Sequence, residues 1–501
     1  MPPPDPPALA TRPELPPLAR GPVVSAMVAL AVVLSAFSQA YGYHRDELYF
    51  RMLPLAWGYL DQPPLTPLLV RAFSALADEP WAIRIPATVC AVASVLVLAV
   101  ITRELGGGRR AQLLCAWSYA FAASPLLFGH VMLTSSLDLV VWPLVVWLVI
   151  RALLRDQPRC WLVAGIVVGL SLYNKWLIAT LLISLVAGLL IAGPRRVLAT
   201  RWPWLAAGLA LVIGSPNLVY QWAHDWPQLR IGAGLSAENA AEVRIQMWPF
   251  LALLLGPPLV AIWIAGIVAL IRRPSWRPAR FLVPAFAVLL AITWAGGTQI
   301  YYPLGLLVVL FAAGCVPVAD FLAGAAKGWR VLAVALLVLN AAVSAVIGLP
   351  VLPLRVLGDS PVPGINQTAA DQVGWPTYVR QIDRAYRALP PAERARTAII
   401  VSNYGEAGAV ARYGPELGLP AAVSGHNQLY DEARPPAGAD VALIVGGQDA
   451  RVAGDFDSCA RVGVLDNGLG VDNEEQGEPI AVCRGPRSDW ATLWPKFRHF
   501  D

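Results

Sequence analysis

Two adjacent carboxylates, Asp46 and Glu47, stand in the segment Tyr41-Gly42-Tyr43-His44-Arg45-Asp46-Glu47-Leu48-Tyr49-Phe50, directly after the first apolar run. A carboxylate placed beside Arg45 in this way can take a proton from an attacking hydroxyl. The same pair with the His44 imidazole can instead offer oxygen and nitrogen ligands to a divalent cation. Both readings compete with a plainer one, in which charged loop residues are solvated and the flanking aromatics belong to the interfacial belt. A further carboxylate follows in Gly58-Tyr59-Leu60-Asp61-Gln62-Pro63-Pro64-Leu65-Thr66-Pro67. Pro63 and Pro64 forbid a continuous helix there, and Asp61 could simply cap the next segment. Asp138 opens a strongly apolar run and Lys175 lies between two such runs. Ionisable groups at membrane depth are costly and usually face the protein interior or a cavity. The bland alternatives are a helix N-terminal role for Asp138 and a snorkelling ammonium for Lys175.

The elements that must position these residues are membrane helices. The 501-residue chain is 57% hydrophobic and 14% charged, against about a quarter charged in a soluble protein. Its net charge of +5 leaves no nucleic-acid footprint. A bilayer core of roughly 30 Å needs about 20 apolar residues in a helix. Runs of that kind fall near 22–41, 82–101, 111–129, 133–152, 160–174, 177–193, 202–222, 246–271, 281–297, 300–319 and 331–349, about eleven in all. The Pro-rich stretch 1–21 is expected to be disordered and cytoplasmic, with the membrane domain over 22–354 and a polar region over 355–501.

Basic residues collect in alternate loops: Arg103, Arg109 and Arg110; Arg151, Arg155 and Arg159; Arg195, Arg196 and Arg201; Arg272, Arg273, Arg277 and Arg280; Lys327 and Arg330. These are the cytoplasmic loops by the positive-inside rule. Loop 42–81 and the C-terminal region then lie outside, in a plasma or inner membrane. Residues 48–60 and 65–77 read as short amphipathic helices along the interface. The tail alternates β-rich runs, Ala398–Val401 and Val441–Val445, with a helix near Glu406–Tyr413, and so reads as a small α/β domain. In an outer compartment Cys459 and Cys483 can form a disulfide or remain two thiols.

The acidic pair after the first span, followed by Asp61-Gln62-Pro63-Pro64-Leu65, resembles glycosyltransferase family 39 and the ArnT-like, dolichyl-phosphate-mannose-protein mannosyltransferase-like enzymes. Thr134-Ser135-Ser136-Leu137-Asp138, Gly169-Leu170-Ser171-Leu172-Tyr173-Asn174-Lys175-Trp176, Gly256-Pro257 and Tyr301-Tyr302-Pro303 continue the resemblance, as do Asn403-Tyr404-Gly405-Glu406-Ala407 and Ser424-Gly425-His426-Asn427 in the tail. The chain departs from the common pattern at Tyr49-Phe50 and at Gln62.

The resemblance implies a GT-C type polytopic α-helical membrane protein with a C-terminal extracytoplasmic α/β domain. It implies transfer of a sugar from a polyprenyl-phosphate donor, with inversion, to a protein, glycolipid or envelope polymer. Asp46 is expected as the catalytic base, with Glu47 and Asp138 as supporting carboxylates. Arg45, Asp61, Lys175, Tyr301 and Tyr302 are expected to bind the substrate or its lipid phosphate. A divalent metal is an open expectation, with His44, Glu47 and Asp138 as candidate ligands. A transporter or flippase of lipid-linked or small substrates is the main rival; it predicts helices broken near the midplane and charges within spans.

Overall fold

The computed structural model describes residues 13–500. All eleven apolar runs are helical, but not all are long. Among the described residues seven helices are long and apolar enough to cross a membrane: Arg20–Phe37, Pro80–Glu104, Thr134–Leu154, Arg201–Ala223, Pro274–Gly296, Leu304–Gly324 and Lys327–Gly348. Two bent pairs raise the number to nine if each is one span: Arg109–Ala120 with Ala123–His130, bent by 51°, and Asn239–Leu253 with Pro257–Arg272, bent by 78°. The other two runs form Arg159–Ser171 and Ile178–Ala192, of 13 and 15 residues. At 1.5 Å per residue they reach only about 20 and 22 Å, short of a bilayer core of roughly 30 Å. The expected count of eleven therefore becomes seven to nine by length.

The two bends support each other. A helix break leaves backbone carbonyls without intrahelical donors. Leu254 O, at the second break, accepts the Ser124 N–H at 3.1 Å and the Ser124 hydroxyl from the first. Leu255 O accepts from Asn340 Nδ2 at 3.0 Å.

At the Arg-rich end the N-terminal stretch is not wholly loose, contrary to expectation. Arg103 Nε donates to Pro16 O at 2.7 Å, Arg155 Nη1 to Pro13 O at 2.5 Å, and the Ala19 N–H to Gln112 Oε1 at 2.8 Å. Residues 1–12 lie outside the described residues.

At the opposite end loop 42–81 contains the helices Arg45–Met52 and Leu65–Ser74, with residues 53–64 non-helical where the sequence suggested one helix to residue 60. The first helix is started by its own side chains. His44 Nδ1 accepts the Asp46 N–H, and Glu47 Oε2 accepts the His44 N–H at 2.9 Å. Such reciprocal capping satisfies two otherwise orphaned donors.

The tail forms a five-stranded sheet of β1 (Thr397–Val401), β2 (Ala422–Ser424), β3 (Val441–Val445), β4 (Phe456–Val464) and β5 (Pro479–Pro486), in the order β2-β1-β3-β5-β4. β2, β1 and β3 are parallel, and β5 runs antiparallel to β3 and β4. Cys459 and Cys483 face each other across β4 and β5 and are disulfide-bonded.

Loop and sheet domain share one apolar core. Leu48, Tyr49 and Leu53 pack with Val379, Ile399, Val410 and Leu443. Helix Tyr404–Leu417 lies so close that a Cβ on Gly408 would stand 2.6 Å from the Leu48 carbonyl carbon. Beneath this joint, Arg84 forms a bidentate pair with Glu47, Nε to Oε1 and Nη2 to Oε2, both at 2.9 Å. Arg84 also donates to Ser38 O, Gly42 O and, from the tail, Gln372 Oε1. One guanidinium thus ties the first apolar helix, its loop and the C-terminal region.

Both members of the pair are almost completely buried. Removing one partner of such a pair leaves the other charge uncompensated, at a cost of about 3–5 kcal/mol. Arg84→Met is therefore expected to lower the thermal unfolding midpoint of the detergent-solubilised protein sharply. An unchanged midpoint would contradict this role.

Candidate functional site

Asp46 leaves the helix Arg45–Met52 about 100° around from Glu47 and enters open space. Its side chain is 27% exposed, although the residue lies deep between the loop, the membrane helices and the outer domain. A cavity of about 470 Å³ is lined by Asp46, Asp61, Lys175, Tyr301, Tyr302 and Tyr404. A second, of about 680 Å³, meets it at Asp46, Tyr301 and Tyr404 and runs between apolar side chains such as Phe250, Leu254, Leu339, Val343 and Ile347. A third, of about 550 Å³, joins the second at Arg45, Tyr404 and Glu474 and carries Asn239, Gln246, Thr298, Gln299 and Gln367.

Each charged group is placed by an identifiable element. Lys175 follows Asn174, which is fixed by Thr66 Oγ1 donating to its Oδ1 at 2.6 Å and by its own Nδ2 donating to Thr134 O at 2.9 Å. The Lys175 ammonium lies 3.4 Å from Tyr301 OH and from Ser135 Oγ, and 5.1 Å from the centre of the Tyr302 ring. Asp61 is not the cap of the following helix: that position belongs to Pro64. Its carboxyl instead faces the cavity, and burial pushes it up to about 6. Burial likewise raises Asp46 from its ordinary value, while Arg45, the Tyr404 hydroxyl and Lys175 pull it back.

The other expected residues are placed differently. Glu47 does not line any of these three cavities. Its Oε1 accepts from Arg84 Nε and the Met132 N–H, and its Oε2 from Arg84 Nη2 and the His44 N–H. With its acceptor positions so used it anchors the start of the helix Arg45–Met52 against Arg84 and the Met132 backbone. Asp138 sits behind the cavity wall, beneath Tyr301 and Tyr302, and accepts from Asn174 Nδ2 at 3.3 Å. It braces the turn that carries Lys175. His44 uses Nδ1 as an acceptor, and its Nε2 lies 3.7 Å from Asp371. Burial drives its pKa down to about 3. His44, Glu47 and Asp138 therefore do not form a metal site. Among the described residues no three His, Cys, Asp or Glu side chains are grouped to hold an ion. Arg45 turns away from the first cavity to pair with Glu474 and to lie 4.7 Å above the Tyr404 ring.

Tyr404, Asp371, Glu474 and Glu475 are contributed by the C-terminal region and were not foreseen as site residues. Only Tyr404 had a signal, as part of the Asn403–Ala407 segment. It stands just after β1, and His426 just after β2, at the carboxyl ends of parallel strands where open α/β sheets form their crevice. Behind it Glu406 and Glu475 are buried together. Glu406 Oε1 and Glu475 Oε2 have no hydrogen-bond partner. Burial first, and then the Glu475 charge, push Glu406 up to about 8.

Residues 61–220 match the family model of dolichyl-phosphate-mannose-protein mannosyltransferases. ArnT from Cupriavidus metallidurans bound to undecaprenyl phosphate superposes with a TM-score of 0.57 at 14% identity, over 92% of this chain and 97% of that one. Its apo state gives 0.57 at 14% identity, over 93% and 98%. The chain has the GT-C membrane fold. Arabinofuranosyltransferase AftD from Mycobacteria matches with a TM-score of 0.50 at 14% identity, over 96% of this chain and 40% of its own length. No curated protein matches the chain. Within this GT-C framework the matched segment holds Asp61, Asp138 and Lys175 and relates the chain to glycosyltransferases. At these identities the structural likeness is one of fold.

The buried Glu406 has a measurable consequence. Its folded pKa lies above the ordinary 4.5, so between the two values the folded state binds more protons than the unfolded state, and stability falls as pH rises. The unfolding midpoint of the intact protein should drop as pH climbs from about 4.5 toward about 8. Glu406→Gln should flatten that slope, as seen by differential scanning fluorimetry at a series of pH values.

Proposed function

We propose that the protein is an integral-membrane glycosyltransferase that moves a sugar from a polyprenyl-phosphate donor to a hydroxyl acceptor on the extracytoplasmic face. The observation that carries this reading is the pairing of Asp46 and Lys175 across one cavity. Among the described residues, the Lys175 ammonium has hydrogen-bond contacts to Tyr301 OH and Ser135 Oγ, both at 3.4 Å, and takes part in no salt bridge. A buried cation held in no salt bridge and flanked by two tyrosines suits an anionic phosphate.

In this mechanism an Asp46 oxygen accepts the acceptor hydroxyl proton as that oxygen bonds to the anomeric carbon. The bond from the anomeric carbon to the phosphate oxygen breaks, and its electron pair leaves with the lipid phosphate. Lys175 and Tyr301 offer N–H and O–H donors to the departing anion, with Tyr302 beside them. A single displacement inverts the anomeric centre. Asp61 is the second carboxylate facing the sugar, where negative charge stabilises an oxocarbenium-like transition state.

The Arg-rich loops and residues 13–19 occupy one end of the helices, and the cavities and sheet domain the other. With the positive-inside rule this supports a cytoplasmic N-terminus and an outer C-terminal domain in the cell membrane. The acceptor side is amphiphilic. The second cavity is lined mainly by apolar side chains between helices, and the adjoining third by amides, a hydroxyl and the charged Arg45, Glu242 and Glu474. That gradient fits a glycolipid better than a folded protein or a polymer.

The two bent helix pairs would also suit a transporter. The two activities differ in bond breaking. Purified protein in liposomes with a polyprenyl-phosphate sugar and a glycolipid acceptor should release polyprenyl phosphate. Asp46→Asn should abolish release while the protein stays folded, and Lys175→Met should raise the KM for the donor at least tenfold. Movement of the intact donor across the bilayer without phosphate release would establish the transporter, and near-normal turnover by Asp46→Asn would refute the base.

A further inference from the structure

We propose that Tyr404, supplied by the outer domain, is the positioning residue for the Asp46 base, so that the catalytic site is complete only when this domain is docked. The proposal rests on the glycosyltransferase reading for its kinetic consequence, but its structural core does not need it.

Tyr404 OH donates to Asp46 Oδ1 at 3.1 Å. The ring that carries this hydroxyl is held from several directions. Its centre is 4.8 Å from that of Tyr49 and 5.0 Å from that of His426, and the Arg45 guanidinium lies 4.7 Å from it. Its backbone N–H donates to His426 Nδ1 at 3.2 Å. Asn403 caps the helix on which it stands, accepting from the Glu406 N–H at 2.9 Å. A side chain so confined cannot swing its hydroxyl away without moving the start of the helix.

The chemical effect follows from which oxygen is used. With Oδ1 engaged by a phenol, Oδ2 is left to accept the acceptor proton, so the hydroxyl selects the basic oxygen as well as its direction. Burial keeps the Tyr404 phenol neutral, well above its ordinary pKa, so it remains a donor. A donor to the charged form favours ionisation of a carboxylate that burial opposes. The other groups that face Asp46 are Arg45 and Lys175, which favour its charge, and Glu474 and Asp61, which oppose it; the neutral His44 lies 3.9 Å away. Tyr404 also borders all three cavities, so it stands where donor and acceptor must meet.

The test is Tyr404→Phe in the full-length protein, which keeps the clamped ring and removes only the hydroxyl. Two measurements are made. The first is the pH dependence of Asp46 modification by a hydrophobic carbodiimide, which reacts with protonated buried carboxyls, read by mass spectrometry. The midpoint should rise by about one pH unit on loss of one charge-assisted hydrogen bond. The second is the pH profile of polyprenyl-phosphate release. Its acidic limb should move the same way, about a tenfold loss at a fixed acidic pH, with the donor KM within about twofold of the parent and the rate recovering as pH rises. An unchanged carbodiimide midpoint overturns the proposal, and so does a rate loss uniform across pH. A shifted midpoint in a protein whose parent releases no phosphate upholds the contact and sinks the glycosyltransferase reading instead.

Discussion

The buried pair between Glu47 and Arg84 is the constraint on which the rest of the outer structure depends. A carboxylate and a guanidinium taken out of water are tolerable only when their hydrogen-bonding positions are filled. The four acceptor positions of Glu47 draw in the His44 N–H, the Met132 N–H and two Arg84 nitrogens. The remaining Arg84 donors reach the end of the first span, the turn at Gly42 and Gln372 of the outer region. Satisfying one ion pair therefore fixes the loop against the membrane helices and the C-terminal region against both. It also fixes the rotation of the helix Arg45–Met52, and with it the direction in which Asp46 points.

Asp46 and Glu47 are neighbours in sequence but opposite in environment. A helix turns by about 100° per residue, so one carboxylate faces the packed joint and the other faces a cavity. The first is matched to a cation and serves structure. The second is held in a space lined by hydroxyls, an ammonium and apolar walls. Burial raises the Asp46 pKa while Arg45, Tyr404 and Lys175 restrain it. A carboxylate kept basic in this way, yet still able to ionise, is suited to receive a proton. Asp61, lifted to about 6, adds a second carboxyl whose charge can respond to what enters the cavity.

Cavity polarity is decided by which elements meet. Between the helices Ala123–His130, Asn239–Leu253 and Lys327–Gly348 the walls are mainly apolar, interrupted by Ser124, Asn340 and Ser344. Above them, where loop 298–300 and the outer domain close the space, the walls carry amides, hydroxyls and charges. An amphiphile can span that gradient without burying an unpaired polar group. The breaks in two of these helices leave carbonyls that are satisfied within the protein, as non-helical backbone at membrane depth requires.

The sequence by itself determined the membrane character, the helical runs, the alternation of basic loops and the α/β nature of the tail, because hydrophobic length, charge bias and strand periodicity are local properties. β1 and β3 fall where their apolar runs stand, and the tail helix needed only modest extension, from Glu406–Tyr413 to Tyr404–Leu417. Asp46, Asp61, Lys175, Tyr301 and Tyr302 were also legible, since polar residues at the outer ends of apolar runs are conspicuous, and the fold brings them to one cavity. Two of the expected apolar runs form the short helices Arg159–Ser171 and Ile178–Ala192, of 13 and 15 residues, because hydropathy reports composition, not where helix geometry starts and stops. What only the tertiary structure decided was the division of labour. Glu47 and Asp138 look alike in one dimension, and the fold gives each a buried partner, Arg84 and Asn174, that is distant in sequence. Tyr404 had a signal only as part of the Asn403–Ala407 segment and Asp371 had none, because a residue becomes part of a site through docking, and docking of the sheet domain on the first loop rests on complementary surfaces that no single segment encodes.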